Sequence, residues 1–167
     1  NKGIDKSYGK YILFLNSGDC LYDKNVLHNI YGLQPCEQLV YGDMIIAESD
    51  SNTRKGIMPD RLDEIHLYKD TLWHPVTFIQ SVVFKEFGKY NEEYKLAGDY
   101  EFFLRLILKN RSSYRHVPLV ISVFDNSGMS SNPQNRKLLM DERLKAQKKY
   151  FNILLLALFR LYSFVRK

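Results

Sequence analysis

The sequence has only two cysteines, Cys20 and Cys36, and their spacing fits neither a metal-binding pair nor a disulfide framework. That argues against a zinc scaffold and points to a reducing, cytosolic environment. No run of about 18 apolar residues occurs, so nothing reads as a membrane-spanning helix, and no segment has the pattern of a signal peptide. Internal repeats are absent. The net charge is +5, with its densest basic region at 136–149, followed by Arg160, Arg166 and Lys167. Net charge without an interleaved aromatic and basic platform does not make a nucleic-acid site, so no nucleic acid is expected as a partner.

What is present is enough for one globular core: 167 residues, 45% hydrophobic and 14% aromatic. The opening Asn1-Lys-Gly-Ile-Asp-Lys-Ser-Tyr-Gly9 reads as the end of a helix, as if the chain starts in mid-domain. Then Tyr11-Ile-Leu-Phe-Leu runs into Asn16-Ser-Gly-Asp19, a buried strand opening into a polar turn. In open α/β sheets ligands bind beyond strand ends, which makes Asp19 a candidate metal or substrate contact. The same four residue types also make ordinary turns.

A short helix is expected from Asp23 or Lys24 to Gly32, then a central strand over 38–46 in which Gly42-Asp43 marks a bend or bulge. Asp43 either satisfies backbone donors or faces the same crevice as Asp19. Residues 48–60 read as a polar hairpin loop ending in an extended piece at 56–58, and 61–70 as a helix. His74, beside Pro75 and the only tryptophan, Trp73, could orient an acceptor hydroxyl or a phosphate, or serve a structural hydrogen bond. Residues 77–84 read as a strand.

Gly98-Asp-Tyr-Glu-Phe-Phe-Leu-Arg105 opens an amphipathic helix reaching Asn110, with Asp99 at its N-cap and Glu101 and Arg105 spaced to pair on its surface. A strand over 117–124, entered from a sheet edge because of Pro118, leads to a loop at 125–131. Asn132-Pro133 then starts a helix running to about Lys149. The last segment, 150–167, is apolar with basic flanks. It suits a membrane interface, and it equally suits packing against another part of a longer chain or a partner subunit.

Taken in order, Gly9-Lys-Tyr-Ile-Leu-Phe-Leu-Asn-Ser-Gly-Asp19, Val40-Tyr-Gly-Asp43, His74-Pro75, Phe87-Gly-Lys-Tyr-Asn91 and Gly98-Asp-Tyr-Glu-Phe-Phe-Leu-Arg105 resemble the later part of the catalytic domain of family 2 glycosyltransferases. The resemblance covers roughly residues 1–130. It implies an α/β fold, a partial GT-A fold with a mixed, mostly parallel sheet flanked by helices. Residues 1–132 would form that partial domain and 133–167 a helical extension in contact with the membrane interface.

The resemblance further implies an inverting sugar transfer in cell-surface polysaccharide synthesis, with a nucleotide-sugar donor and a saccharide or lipid-linked acceptor. Asp19 takes the place of the metal-holding carboxylate, with Mn²⁺ or Mg²⁺ as the cofactor, and Asp99, six positions before Arg105, that of the general base. Asn16, Asp43, His74, Glu101 and Arg105 are the expected substrate contacts. Three positions where the family often has an acid lack one here: Asn16 and Gly18 stand where aspartates are common, and Gly98 stands before Asp99 where an acid is frequent. The family's nucleotide-binding half, which precedes the metal turn, is not in the chain. The rival reading is a non-catalytic module that binds a membrane or a partner through its basic, apolar C-terminal helix, and localisation would be cytoplasmic, with or without peripheral contact at the inner face of the plasma membrane.

Overall fold

The computed structural model describes residues 1–49, 52–126 and 132–165. The tip of the polar hairpin at Asp50 and Ser51, most of the 125–131 loop and the basic end at Arg166 and Lys167 lie outside the described residues. One mixed sheet carries the fold, in the order β1 (Tyr11–Ile12), β5 (Thr77–Gln80), β3 (Leu39–Ser49), β6 (Tyr114–Asp125) and β2 (Cys20–Leu21), with β4 (Asn52–Gly56) also paired to β3. The helices α1 (Lys2–Asp5), α2 (Val26–Gly32), α3 (Glu64–Lys69), α4 (Ser81–Phe87), α5 (Gly98–Leu104), α6 (Arg136–Tyr150) and α7 (Ile153–Val165) flank it.

β3 is the axis of the sheet because its apolar residues run on both faces at Leu39, Val40 and Tyr41, all fully buried. Along one side it pairs with β6 in parallel. Along the other it pairs first with β5 at Leu39–Tyr41 and then with β4 at Met44–Ser49. The ladder slips at Gly42-Asp43, where the sequence suggests a bend or bulge, but the extra residues stand on β6: Tyr41 faces His116, Asp43 faces Val120 and Met44 faces Ser122. Gly42 is required there, because a Cβ would run into the Leu119 carbonyl and stand 2.8 Å from Ile121 Cγ1.

The mixed α/β sheet flanked by helices is as expected, but its strand directions are not mostly parallel. Of the five pairings among the described residues only β3–β6 is parallel. Only two residues separate β3 from β4, a connection too short for anything but the antiparallel direction. Three further readings are corrected. β1 has two paired residues at the sheet edge rather than a buried five-residue strand, and Leu15 is already exposed. The 77–84 run divides into β5 and α4, since the Ser81 amide closes the last ladder bond on the Lys10 carbonyl and the chain then turns helical. Pro118 does not mark an edge. It sits inside β6 in the stretch where the register with β3 slips, so its missing N–H costs no ladder bond.

α5 and the helical turn that follows it are buried on most sides. Tyr100, Phe102, Phe103, Leu104 and Leu106 are each at most 2% exposed, and each contributes about 1.5–3 kcal/mol by leaving water. Phe102 stacks on Phe84 at 5.3 Å and meets Tyr90 at 4.4 Å, and Tyr90 meets Phe14 edge-on at 5.4 Å. The helix widens to a π-helical turn at Arg105–Lys109, where the Asn110 amide reaches the Arg105 carbonyl. Residues 133–150, expected as an extension, pack directly on α5, with Ala146 fully buried. Asn132 caps the entry to this segment by accepting from the Gln134 amide, as its Asn-Pro pair predicts.

Candidate active site

The turn after β1 is built around one carboxylate. Asp19 Oδ2 accepts from the Asn16 amide at 3.1 Å, and Oδ1 accepts from the Asp125 amide at the end of β6 at 3.0 Å. Gly18 takes φ +96°, and a Cβ there would stand 2.5 Å from Asp125 Oδ2, so the second carboxylate lies directly against the turn. Asp19 and Asp125 therefore converge from the ends of different elements. Sequence reading left Asp125 in a loop, although its place at a strand end is the same signal that singled out Asp19.

His74 opens a short 3₁₀ turn with Pro75 in its first positions, anchored by the Thr77 hydroxyl donating to the Trp73 carbonyl at 2.7 Å. The ring bridges the two informative stretches of the sequence. Nε2 lies 2.9 Å from Asn16 Nδ2, and Nδ1 lies 3.3 Å from Asp99 Oδ2. With the Asn16 amide donating to Nε2, the ring proton sits on Nδ1 and faces the carboxylate.

Asp99 is not an N-cap. It stands in the first turn of α5, after Ala97 and Gly98, and its Oδ1 accepts from the Tyr100 amide at 2.7 Å. Half-buried Tyr90 lies near enough that its phenol is pushed well up, first by desolvation and then by the negative charge of Asp99. Asn16, Asp19, His74, Asp99 and Asp125 share one cleft of about 790 Å³, with Trp73 forming part of its wall. Trp73 is itself held against Gly56 of β4, where a Cβ would stand 2.9 Å from the indole.

The other three expected contacts lie elsewhere. Asp43 is buried in the sheet, taking Met58 N at 3.1 Å, His116 Nε2 at 3.2 Å and Lys55 Nζ at 3.0 Å. Burial raises its carboxyl, but Lys55, the Met58 amide and His116 outweigh that and hold it below the ordinary value. It satisfies structural donors, the first of the two alternatives its sequence setting left open. Glu101 is 1% exposed, so its pair with Arg105 at 3.6 Å is not the surface pair that spacing suggests. The α6 residues Lys149, at 3.5 Å, and Tyr150 cover it instead. Arg105 donates to the carbonyls of Phe87, Gly88 and Lys89, closing the loop after α4.

The chemistry of the donor set suits a hard divalent cation. Two carboxylates converge on the turn, and Mg²⁺ commonly uses one or two carboxylates with water and substrate phosphates for the rest. Among the described residues no group of three or more His, Cys, Asp or Glu side chains forms a metal cage of protein ligands alone.

No protein-family model matches the chain. Over 135 residues it is 28% identical to a PGL/p-HBAD biosynthesis glycosyltransferase of Mycobacterium bovis (strain BCG / Pasteur 1173P2), matching 79% of this chain and 51% of the relative. A protein of the same name in Mycobacterium tuberculosis (strain ATCC 25177 / H37Ra) matches equally. Among solved structures, S. aureus TarS 1–349 in complex with UDP-GlcNAc superposes with a TM-score of 0.59 at 15% identity, covering 77% of this chain and 38% of that one. TarS 1–349 without that ligand gives 0.58 at 13%, covering 90% and 50%. The fold is that of part of TarS. The expected partial glycosyltransferase fold therefore stands, and the chain spans about half the length of the curated relatives it matches.

Proposed function

We propose that this chain belongs to an inverting glycosyltransferase that moves a sugar from a nucleotide-diphosphate donor to an acceptor hydroxyl in cell-surface polysaccharide synthesis. The observation that carries the reading is the line Asp19–Asn16–His74–Asp99 within one cleft. Similarity to named glycosyltransferases and to the fold of a protein solved with UDP-GlcNAc supports it.

In this reading the donor diphosphate lies at the Asn16–Asp19 turn and the acceptor lies over Asp99. Asp99 takes the proton of the acceptor hydroxyl as its oxygen attacks the anomeric carbon. The bond from that carbon to the diphosphate breaks on the opposite face, which inverts the configuration. His74 keeps one Asp99 oxygen occupied through its Nδ1 proton, fixing the carboxylate in the plane that serves the acceptor. Asp19 and Asp125 would hold Mn²⁺ or Mg²⁺, which supplies positive charge against the charge building on the leaving diphosphate.

The test is release of nucleoside diphosphate from UDP-GlcNAc and other nucleotide sugars, with Mn²⁺ present, by this chain joined to the nucleotide-binding half that the resemblance places before the metal turn. Asp99→Asn keeps the side chain's shape and its acceptor for the Tyr100 amide, so it is expected to fold normally. It should lose about a hundredfold or more in rate, about 3 kcal/mol or more of barrier. Full turnover in this variant removes Asp99 from the chemistry.

A second reading is favoured by α7, where Ile153, Leu154, Leu158 and Leu161 are all more than half exposed. Residues 136–167 carry nine basic and two acidic side chains, whereas 1–135 carry fifteen and seventeen. In that reading α7 lies on an anionic lipid surface, with or without sugar transfer. Among the described residues no helix is long and apolar enough to cross a membrane.

A further inference from the structure

The entry to α5 has no cap of its own. Its N-cap position is Ala97, which offers no side-chain acceptor, and the amides leading into the helix need partners. They find them 45 to 47 residues away. Glu142 Oε1 accepts from the Lys95 amide at 2.8 Å, and Oε2 accepts from Leu96 at 2.9 Å and Ala97 at 2.8 Å. Glu142 is 8% exposed. Burial alone would raise its carboxyl, but the Ala97, Lys95 and Leu96 amides outweigh it and keep the group ionised, below the usual carboxylate range.

The same face of α6 grips the following residues. Gln147 Nε2 donates to the Tyr100 hydroxyl at 3.0 Å, and that hydroxyl donates to the Leu67 carbonyl at 2.7 Å. Tyr150 donates to Glu101 Oε1. Arg143 lies over the Tyr100 ring with its guanidinium carbon 4.1 Å from the centroid. Glu142, Gln147 and Tyr150 thus hold residues 95–97, 100 and 101 in turn, and Gly98 and Asp99 lie between these holds, with Asp99 directed at His74.

We propose that Glu142 is a positioning residue: by capping the entry to α5 from the C-terminal helix it fixes where the Asp99 carboxylate stands in the cleft. The proposal rests on the reading of Asp99 as the base. A displacement of about 1 Å at such a group can cost about a hundredfold in rate, so a cap two residues upstream has leverage on catalysis as well as on stability. Glutamine at 142 keeps the shape but turns an NH₂ group toward backbone N–H donors, so at least one amide loses its acceptor.

The kinetic measurements use the chain joined to the nucleotide-binding half, as above, and the resonances are read on the full chain. Glu142→Gln is expected to lower kcat with UDP-GlcNAc and Mn²⁺ by at least about tenfold while the donor KM stays within about twofold. It is also expected to displace the backbone amide resonances of Asp99 and Tyr100. Glu142→Asp, which retains a carboxylate, should recover part of both effects, and it carries the same comparison if the glutamine variant does not fold. A residue that only adds stability would lower Tm and leave those resonances and kcat unchanged, and that outcome overturns the proposal. The resonances decide the positioning claim whether or not turnover is measurable. Full turnover in Asp99→Asn would overturn the base assignment separately.

Discussion

Replacing Asp43 by asparagine separates a structural carboxylate from a substrate contact. The side chain is 5% exposed and serves three partners: the Met58 amide, His116 and Lys55. Asparagine keeps one acceptor, which can still take the Met58 amide, but it loses the charge that both other partners need. Lys55 is about half exposed and can turn into water, so its share is under about 1 kcal/mol. The bond to His116 Nε2 is buried and charge-assisted by the Asp43 carboxylate, worth about 1.5–3 kcal/mol. The expected loss is about 2–3 kcal/mol, or about 5–10 °C in Tm for a chain of this size.

The pH dependence has a definite sign. The folded carboxyl is held below its ordinary 3.8, so its stabilisation is fully present above that value and is lost as pH falls through the lower folded value. Thermal melts followed by near-UV circular dichroism should therefore show a gap between wild type and Asp43→Asn that is open at pH 7 and closes in acid. Where both proteins are folded, donor KM should be the same. A gap at pH 7 under about 2 °C, or one that widens on acidification, refutes the reasoning.

Two further perturbations address the sheet and the C-terminal helix. Gly42→Ala places a methyl against the Leu119 carbonyl and Ile121 in the middle of the β3–β6 ladder, where backbone cannot yield. It should cost about 3 kcal/mol or more and shift the denaturant midpoint accordingly, and an unchanged midpoint would mean that the ladder moves apart more easily than its packing implies. Co-sedimentation with phosphatidylserine vesicles should fall when Leu154 and Leu158 are both replaced by serine, and fall with salt in the parent chain. Equal sedimentation of parent and variant would remove α7 from lipid contact.

Local signals in the sequence survived into the structure. The irregularity at Gly42-Asp43 was legible because a glycine and an acid interrupt an otherwise apolar strand, although the extra residues stand on β6, and the Asn132-Pro133 start because both residues act within one turn. The errors came from partners far away in the chain. Spacing of four pairs Glu101 with Arg105, but nothing local says that Lys149 and Tyr150 will bury the pair. Val82, Val83 and Phe84 have strand propensity, yet Val83 and Phe84 are needed on one face of α4 against the core. At the cleft, Asp19, His74 and Asp99 could be named from motifs, whereas Asp125 and Glu142 depend on contacts spanning 106 and up to 47 residues.

The cap on α5 also orders events in time as the chain folds. The β3–β4 hairpin closes over a short loop and can form early, whereas the β3–β6 ladder joins residues about 75 positions apart and must wait for a long loop to close. Glu142 can reach its three amides only after α6 has docked on an α5 already seated on that sheet. A nascent or partly unfolded chain can thus hold most of its sheet while Asp99 is still unplaced. Competence for chemistry would be the last property the molecule gains on folding and the first it loses when α6 loosens.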